Sequence, residues 1–590
     1  MAQTERGQAE RLSWTAFGLA SVAFHLWLIF SGLIPNLVSR PLHMALALPW
    51  VFVFTARTAS ARLVGIALTL AGIGCCLWIA LNQATLGDQY GFLQGSFQVA
   101  VACLLLVLVL EMARRAIGWP LPSLALLALV YGLFGQYIPG EFGHPGTPFA
   151  SFLGTLTIAE GGLWGKLTGV SVSIVSIFVI FGAFLNAGEA GQGFMNLASS
   201  VAGRLKGGAA KVAVLSSAMF GSISGSASAN VASTGAITLP AMTRLGYPKV
   251  LAAAIEAVAS SGGQIMPPLM GAGAFVMVEL TGVPYTGIMA AAFLPALLYF
   301  LAVWTGIDAF ALRHELKGLP SDQRPGAKAV LITAGFFLLP FSVLLWGMFA
   351  RGYTPQYAAC IAIFVAALLL SLDVHLTLNV KRSLLRLEQA ILTSGQQIAM
   401  IASIILCASI IIGVLGITGL GVKITSLIVG GAGGQLWPAL LLTALACLIL
   451  GMEVPTTAAY VICISVAGPA LIDLGLTPLQ AHLFVFWFAL LSTITPPVCG
   501  AVFIAAGMVE ENWLKVASRA MMLGLGLYLI PLAMIANPDL IAFQTVPSDA
   551  LLAALKIGAG LFMISFGAIA PWRFFSRFGL IVLGGLLLFA

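Results

Sequence analysis

Apolar residues fill most of the chain, in runs that are separated by short polar segments. The clearest runs lie near residues 14–35, 44–56, 63–82, 96–112, 120–138, 549–570 and 578–590. An apolar run of about 20 residues is long enough to cross a bilayer as a helix. The pattern therefore predicts an all-α polytopic membrane protein whose first five spans form an N-terminal helical bundle.

The apolar pattern is interrupted at residues 221–240, GSISGSASANVASTGAITLP. No charged residue occurs from Val212 to Thr243, yet this stretch is rich in glycine, serine and threonine. An unpaired backbone group in hydrocarbon costs several kcal/mol, so open backbone is tolerated at membrane depth only where it is buried in protein or lines a wet cavity. We therefore expect open backbone here, at a binding site for a small polar solute or ion.

A second interrupted stretch repeats the first. Gly451 opens GMEVPTTAAY about 230 residues after Gly221, and a Pro-Pro pair follows each glycine by about 45 residues, as Pro267–Pro268 and as Pro496–Pro497. Several matching features at one constant offset predict an internal duplication.

Basic residues indicate how the two repeats are oriented, because Lys and Arg favour cytoplasmic loops. They flank the first interrupted stretch on both sides, whereas none occurs around the second between Lys423 and Lys515. We expect two re-entrant hairpins, at 212–243 and 437–475, that enter from opposite faces. Inverted repeats with broken helices are typical of secondary transporters, which bind their solutes between the repeats.

These features divide the chain into five segments. We expect an N-terminal bundle at 1–140, a first inverted repeat at 141–325, connecting or scaffold helices at 326–395, a second inverted repeat at 396–540 and C-terminal helices at 541–590. Within the bundle, Arg40 is the exception to an otherwise consistent distribution of basic loops.

Composition supports the membrane assignment. The chain has 590 residues, 60% hydrophobic and 8% charged, with a mean hydropathy of +1.05. The net charge of +7 lies in loops between apolar runs, so it indicates topology and not nucleic-acid binding. Eight cysteines and six histidines are scattered without metal-ligand spacing. The polar N-terminus leads into an apolar run without a small-residue cleavage site, which predicts a first anchor helix.

The residues at the interruptions suit an anion and a cation. Hydroxyls, the Asn230 amide and freed carbonyls are hard oxygen ligands for a cation such as sodium, and N–H groups at helix starts favour a carboxylate. Gly221, Gly225 and Gly235 would permit the backbone turns, and Pro455 would end a half-helix. The alternative is that these small residues only allow close helix packing.

Two carboxyl groups lie in apolar surroundings. Glu256 and Glu453 are costly there unless they are protonated, paired or hydrated. Each is either a cation ligand or proton carrier, or a structural carboxylate that accepts from nearby backbone N–H groups. The hydroxyls of Thr456, Thr457, Ser492, Thr493 and Thr495 are either ligands or groups that bond back to their own helix.

An enzyme is disfavoured by what the sequence lacks. The serine-rich stretch never reads G-x-S-x-G, and no histidine occurs between His144 and His314, so no local Ser/His pair is available. No phosphate loop or nucleotide fingerprint is present. Active transport would then use an ion gradient.

Four motifs, GSISGSASANVASTGAITLPAM, AAAIEAVASSGGQIMPPLMGAGAF, GMEVPTTAAYV and STITPPV, closely resemble fused permeases of the tripartite ATP-independent periplasmic (TRAP) transporters, in the subgroup that works with TAXI-type binding proteins. The resemblance covers roughly residues 140–540. The N-terminal bundle resembles the small membrane subunit by position and span count. The resemblance implies elevator-type motion of the hairpin domain against a scaffold that includes that subunit.

The resemblance also assigns residues to sites. By the resemblance, the cation-site candidates are Ser222, Ser224, Gly225, Ser226 and Asn230 in the first repeat and Gly451, Thr456 and Thr457 in the second. The oxygen atoms of Glu453 and Thr495, which lie at the breaks of the second repeat, add these two residues to the cation-site candidates. Substrate-site candidates are Ser228, Asn230, Gln264, Pro267, Pro268, Thr493, Pro496 and Pro497. Glu453 departs from the family pattern, in which this position is more usually uncharged, and this keeps protons as alternative coupling ions.

The sequence thus predicts a secondary importer of small organic acids in a bacterial or archaeal cytoplasmic membrane. We expect coupling to Na⁺ in preference to H⁺, no other cofactor, no nucleic-acid partner, and delivery of the substrate by an extracytoplasmic TAXI-type binding protein. The alternatives are a stand-alone ion-coupled anion symporter, a passive channel and an intramembrane enzyme.

Overall fold

The computed structural model describes residues 8–451 and 455–589, and these contain helices and no β-strand. A polar linker at residues 315–326 divides the helices into two groups. The helices before this linker are α1 (Gln8–Phe30), α2 (Asn36–Pro49), α3 (Ala59–Leu81), α4 (Gln83–Gly87), α5 (Gly95–Ile117), α6 (Pro120–Phe134), α7 (Phe149–Thr157), α8 (Lys166–Val170), α9 (Ser176–Ala187), α10 (Ala190–Ala202), α11 (Gly208–Ser224), α12 (Ala227–Arg244), α13 (Lys249–Gly262), α14 (Ala272–Thr281) and α15 (Tyr285–His314).

The helices after the linker complete the chain. They are α16 (Ala327–Phe349), α17 (Pro355–Leu369), α18 (Val380–Thr418), α19 (Leu420–Gly431), α20 (Leu436–Leu450), α21 (Thr456–Asp473), α22 (Pro478–Leu491), α23 (Gly500–Val509), α24 (Trp513–Leu523), α25 (Leu525–Ala536), α26 (Pro547–Ile569) and α27 (Phe574–Phe589).

Among the described residues, 12 helical segments are long and apolar enough to cross a membrane. The first five are Glu10–Phe30, Asn36–Phe54, Ala59–Leu81, Gly95–Ile117 and Pro120–Tyr137, which confirms the five predicted N-terminal spans. The prediction of an all-α polytopic membrane protein is confirmed.

The chain forms two compact units. The first comprises Met1–Gly188, Pro340–Gly430 and Ser465–Pro469, and the second comprises Glu189–Leu339, Gly431–Ile464 and Ala470–Ala590. The five-segment division made from the sequence stays a prediction.

In the first unit, α18 is the longest helix and packs against α1, α2, α5, α6 and α9. Its 39 residues correspond to a length of about 58 Å, nearly twice the thickness of a hydrocarbon core. Its buried residues begin at Ala390, so the packed part of the helix is the part that follows its basic N-terminal turns.

The second predicted span begins earlier than the sequence indicated. We expected an apolar run from residue 44 and placed Arg40 in a loop, whereas α2 begins at Asn36 and contains Arg40. Arg40 is buried, and its guanidinium donates to the Trp164 carbonyl and lies against Gly169. A guanidinium that finds backbone acceptors can lie within a helical bundle, so Arg40 is a packing residue and not an exception among the loop charges.

Two of the histidines that looked scattered in the sequence lie together in the first unit. The Nε2 atom of His25 lies 2.8 Å from Nδ1 of His43, whose Nε2 lies 3.0 Å from the Ser171 hydroxyl. Nδ1 of His25 lies 2.7 Å from the Ser21 carbonyl oxygen. Both rings are fully buried, so this chain of hydrogen bonds links α1, α2 and the π-helical turn at Ser171–Val175.

In the second unit, α13 occupies the centre of the helices that carry the interrupted stretches. All its residues from Leu251 to Gly262 are buried, and it packs against α11, α12, α15, α23 and α24. Helices α11 and α12 form an antiparallel hairpin on one side of α13. Among the later helices, α26 packs against both α15 and α27.

Candidate functional site

The break in the first interrupted stretch is much shorter than we expected. Helix α11 continues through Gly221 to Ser224, α12 begins at Ala227, and only Gly225 and Ser226 are non-helical. Gly225 has φ +62°, a left-handed conformation that glycine adopts without steric cost. The prediction that Gly221 also permits a turn is wrong, because its backbone belongs to the helix.

Gly221 instead allows two helices to approach closely. A methyl group there would lie 2.6 Å from the Gly263 Cα atom, and one at Gly263 would lie 2.5 Å from the Gly221 Cα atom. The second repeat contains the matching contact, because a methyl group at Gly451 would lie 2.9 Å from the Ser492 side chain. Gly263 and Ser492 each precede a Pro-Pro pair by four residues, so the duplication predicted from the sequence also appears in the packing.

The segments around the two Pro-Pro pairs also correspond. The peptide bonds Pro267–Pro268 and Pro496–Pro497 are both cis. The Gly271 amide donates to the Gln264 carbonyl at 2.9 Å, and the Ala501 amide donates to the Thr493 carbonyl at 3.3 Å. Each segment closes a non-helical loop and begins a new helix, α14 in the first repeat and α23 in the second.

Three helix N-termini of the second unit lie near one another at these loops. A methyl group at Gly225, just before α12, would lie 3.5 Å from the Gly271 Cα atom at the start of α14. A methyl group at Gly500, the first residue of α23, would lie 3.3 Å from the Ser228 hydroxyl oxygen. The N-terminus of a helix carries a partial positive charge and unpaired N–H groups, so the three ends form a neutral but electropositive site.

The substrate-site candidates surround these helix ends. Gln264 is 2% exposed, and a methyl group at Gly271 would lie 3.6 Å from its Oε1 atom. The Ser228 side chain and the Thr493 side chain are half-buried, and Pro497 is exposed. The Pro268 carbonyl accepts a hydrogen bond of 2.8 Å from the Tyr285 hydroxyl.

The hydroxyls of the first cation-site candidates mostly bond to nearby backbone. The Ser222 hydroxyl donates to the Met219 carbonyl at 2.8 Å, and the Ser224 hydroxyl donates to the Ser226 carbonyl at 3.4 Å. The Ser226 side chain caps α12 by accepting from the Ala229 amide at 3.3 Å. The last carbonyls of α11 have no following helical turn to bond, so they and the Ser224 hydroxyl place uncharged oxygens at the break.

Asn230 connects the hairpin to α13. It is fully buried, and its Nδ2 atom donates to the Ser217 carbonyl at 2.9 Å and to the Ser260 carbonyl at 3.5 Å. Its amide nitrogen therefore holds the arms of the hairpin and α13 together, and its Oδ1 atom lies 3.5 Å from the Thr234 hydroxyl.

In the second repeat the break lies between α20 and α21. Gly451 ends α20, and Pro455 immediately precedes α21. Pro455 therefore begins a half-helix, whereas we expected it to end one; its fixed φ is compatible with this position. Thr456 is buried and Thr457 is half-buried at the start of α21. Glu453 lies outside the described residues.

Two further hydroxyl contacts involve the second Pro-Pro segment. The Thr493 hydroxyl lies 2.8 Å from the Ser261 hydroxyl of α13, which joins the two repeats directly. The Thr495 hydroxyl donates to the Leu491 carbonyl at 2.6 Å and lies 2.7 Å from the Tyr528 hydroxyl. Tyr528 has no local signal in the sequence, because it belongs to α25, a helix that we did not connect with the site.

Glu256 is surrounded by hydroxyl groups. Its carboxyl group is fully buried on α13 and contacts Ser217 of α11, Thr234 and Thr238 of α12, and Ser260 of α13. We expected a structural carboxylate to accept from backbone N–H groups, but its partners are side-chain hydroxyls. The spacing of four residues between Glu256 and Ser260 places both on one helix face and was a usable signal.

Gly235 lies beside this cluster. It is part of α12 and not of a turn, so the prediction that it permits a backbone turn is wrong. A methyl group there would lie 3.3 Å from the Glu256 Cγ atom and 3.4 Å from the Met508 sulfur. Its small size brings α12 close to α13, as the packing alternative anticipated.

Comparison with known proteins gives one family. The family described as "Tripartite ATP-independent periplasmic transporter, DctM component" matches residues 104–548. The match covers both interrupted stretches and both Pro-Pro segments, and it begins within α5.

Curated relatives are similar over much of this region. The C4-dicarboxylate TRAP transporter large permease protein DctM of Pseudomonas aeruginosa is 27% identical over 340 residues, which cover 57% of this chain and 76% of the relative. The isethionate TRAP transporter permease protein DctMQ of Oleidesulfovibrio alaskensis is 27% identical over 344 residues, 58% of this chain and 53% of the relative. The 2,3-diketo-L-gulonate TRAP transporter large permease protein YiaN of Escherichia coli is 23% identical, over 63% of this chain and 85% of the relative. These relatives are named as permeases and not as enzymes.

Proposed function

Because the chain belongs to the family of DctM components of the tripartite ATP-independent periplasmic transporters, we propose that it imports a small organic acid by cation-coupled secondary transport. In this proposal an extracytoplasmic binding protein of the TAXI type delivers the acid. The expectation that the chain is a transporter and not an enzyme is confirmed by the family and by the relatives.

The meeting of three helix N-termini is the observation that carries the proposal. Gly225, Gly271 and Gly500 mark these ends, and Ser228 and Gln264 add polar side-chain atoms. A carboxylate bound there receives hydrogen bonds from backbone N–H groups and interacts favourably with the helix dipoles. The names of relatives for C4-dicarboxylate, isethionate and 2,3-diketo-L-gulonate support a small organic anion as the substrate.

Sodium is the first candidate for a coupling ion at the two hairpin breaks. In the first repeat, the carbonyl end of α11 and the Ser224 hydroxyl provide hard oxygens beside the helix starts that suit the anion. In the second repeat, the end of α20 at Gly451 and the hydroxyls of Thr456 and Thr457 occupy the corresponding place. An anion and a cation bound side by side stabilise each other, which couples their transport.

The N-terminal helices extend the proposal to a fused permease. Helices α1 to α4 precede the family match, which begins at residue 104. We assign this bundle the role of the small membrane subunit, and we assign the two hairpins to an element that moves against a scaffold in an elevator-type cycle.

Reconstitution tests each part of the proposal. The purified protein is placed in liposomes, and uptake of radiolabelled succinate and isethionate is measured under an imposed Na⁺ or H⁺ gradient. A solute-binding protein of the TAXI type is present or omitted. We expect uptake only with the binding protein and with a cation gradient. Uptake without the binding protein would indicate a stand-alone symporter, and uptake that is indifferent to both gradients would indicate a channel.

A further inference from the structure

The buried carboxyl group of Glu256 is a feature that the proposed anion and sodium sites do not use. It lies in the middle of α13, a helix that is buried along almost its whole length. Taking a carboxylate out of water is costly unless it is paired with a cation or fully hydrogen-bonded. The Glu256 carboxyl group must therefore either be charged and compensated by its surroundings or be protonated and neutral.

No basic side chain compensates it among the described residues, where no ion pair includes Glu256. The helices packed against α13 do carry charged or titratable groups. Lys211 of α11 pairs with Asp308 of α15 at 2.6 Å, and Arg519 of α24 lies over the Phe310 ring. The Tyr299 hydroxyl donates to the Val258 carbonyl.

The remaining groups of this kind lie on the same helices and next to them. They are Arg244 at the end of α12, Lys249 at the start of α13, Tyr285, Arg313 and His314 of α15, Cys499 and Glu510 on either side of α23, Glu511 just before α24 and Lys515 within it. Among the described residues, none of these forms a hydrogen bond or ion pair with the Glu256 carboxyl group, whose partners are all hydroxyls.

The hydroxyl partners divide between the two carboxyl oxygens. Oε1 lies 3.0 Å from the Ser217 hydroxyl and 3.4 Å from that of Ser260, and it also contacts the Thr234 hydroxyl. Oε2 lies 2.5 Å from the Thr238 hydroxyl. Two of these hydroxyls have a second acceptor in their own helix: Thr234 can donate to the Asn230 carbonyl at 2.8 Å, and Thr238 to the Thr234 carbonyl at 3.0 Å.

Each hydroxyl has a single proton to donate, so the cluster has two satisfied arrangements. With a charged carboxylate, Thr234 and Thr238 both turn their protons towards Glu256. With a neutral acid, the proton on Oε2 is donated to the Thr238 oxygen, and Thr238 and Thr234 donate to the helix carbonyls. Ser217 donates to Oε1 in both arrangements. Release of the Oε2 proton to water, with rotation of the Thr234 and Thr238 hydroxyls, converts the neutral arrangement into the charged one without movement of the backbone, and uptake of a proton reverses the change.

These distances suit a proton better than a metal ion. Sodium would have to enter between the carboxyl oxygens and the hydroxyls, which already lie at direct hydrogen-bond distance from one another. From this geometry we infer that Glu256 is a proton-binding site, which takes up and releases one proton in each transport cycle. The coupling part of this inference rests on the proposed transport function.

The cluster is also connected to the hairpin. Thr234 lies 3.5 Å from the Asn230 Oδ1 atom, and Asn230 donates to the Ser217 carbonyl. Ser217 and Thr234 belong to the two arms of the hairpin, and Glu256 belongs to the helix behind it. Loss of the proton turns the Thr234 and Thr238 hydroxyls of the α12 arm towards α13, while Ser217 of the α11 arm keeps its hydrogen bond to Oε1. The change therefore strengthens the hold of α13 on the α12 arm of the hairpin that carries the site.

Infrared spectroscopy tests proton binding without any substrate. Protein in lipid vesicles is titrated between about pH 5 and pH 10, a range that brackets shifted carboxyl groups, and the carboxylic-acid C=O band is followed. We expect a titrating band that Glu256→Gln removes and that Glu279→Gln, an exposed residue of α14, retains. Thr238→Val removes the partner of Oε2 and should shift the frequency of the band. If wild type and Glu256→Gln give the same spectra across the range, Glu256 exchanges no proton and the inference is wrong.

Transport measurements test coupling. The same vesicles are loaded with a pH-sensitive dye and supplied with the binding protein and succinate or isethionate. For Glu256→Gln we expect exchange of internal for external substrate to continue, while proton-driven accumulation falls to the level of protein-free vesicles. Glu279→Gln should accumulate substrate as wild type does. Proton-driven accumulation by Glu256→Gln would contradict the coupling role. If wild type transports nothing, the proposed function fails, and the infrared titration still decides whether Glu256 binds a proton.

Discussion

The close contact between Gly221 and Gly263 gives the sharpest prediction about the hairpin. The change Gly221→Ala places a methyl group 2.6 Å from the Gly263 Cα atom and 2.6 Å from the Asn230 Nδ2 atom. Carbon atoms in ordinary contact are about 3.5–4.0 Å apart. Because one of the opposing atoms is backbone, α11 has to move away from the Gly263 segment by about 1 Å.

The change in folding stability caused by Gly221→Ala is the sum of two opposing effects. Overpacking in a well-packed interior costs about 1–3 kcal/mol, whereas alanine in place of glycine stabilises a helix by about 0.5–1 kcal/mol. We therefore expect a net destabilisation of about 1–2 kcal/mol. The Asn230 amide donates to the Ser217 carbonyl at 2.9 Å, and the added methyl group displaces this amide. The transport rate should therefore fall by more than the loss of folding stability explains.

The assay combines thermal unfolding of the purified protein with substrate uptake in liposomes. Gly507→Ala is the matched control, because Gly507 lies within α23 and a methyl group there meets no atom within 4 Å. We expect this control to be neutral or slightly stabilising and to transport normally. If Gly221→Ala unfolds at the wild-type temperature and transports at the wild-type rate, then the packing argument for the hairpin is refuted.

Two further predictions concern a helix cap and a polar loop. Ser226→Ala removes the side chain that accepts from the Ala229 amide and should destabilise the protein by about 1 kcal/mol, measured by thermal unfolding; Ser226→Asp should restore the cap. In the loop before α18, hydrogen bonds from the backbone and side chain of Thr377 hold the pKa of Asp373 well below its usual range. This stabilisation is present above the ordinary Asp pKa and is lost as the pH falls towards the depressed value, so Asp373→Asn should accelerate tryptic cleavage after Arg382 at neutral pH. Equal rates of cleavage in the wild type and in Asp373→Asn would contradict this role of Asp373.

The sequence predicted the membrane spans and the duplication because both depend on simple linear patterns. Apolar runs of sufficient length specify spans, and matching features at a constant offset specify repeats. The pairing of Gly221 with Gly263, and of Gly451 with Ser492, had a linear signature in the equal distances to the Pro-Pro pairs.

The length of the break was not predictable from composition. Serine and threonine are compatible with a helix when their hydroxyls bond back to the preceding turn, as Thr234 does with the Asn230 carbonyl. A run rich in these residues therefore looks like open backbone in the sequence but forms α11 and α12 almost without interruption. Only Gly225, with its positive φ, and the capping residue Ser226 separate the two helices.

Pairs of residues distant in sequence were also missed. The Arg40 guanidinium donates to the Trp164 carbonyl, and His25 forms a hydrogen bond with His43, because separate parts of the chain pack together. Neither contact can be read from the residues near it in the sequence, because in each case the partner belongs to another element. The hydroxyl cluster of Glu256 is an intermediate case, since its partners on α12 repeat every four residues but the partner on α11 does not follow from any local spacing.

The central claim is that the helix ends near Gly225, Gly271 and Gly500 form the substrate site. Its most direct test is succinate and isethionate exchange by liposomes that contain Ser228→Phe, supplied with the binding protein. Ser233→Phe is the control, because Ser233 lies on the same helix with its side chain exposed. We predict that Ser228→Phe abolishes exchange while its thermal unfolding stays close to that of the control, which continues to exchange. Normal exchange by Ser228→Phe would contradict the assignment of the site.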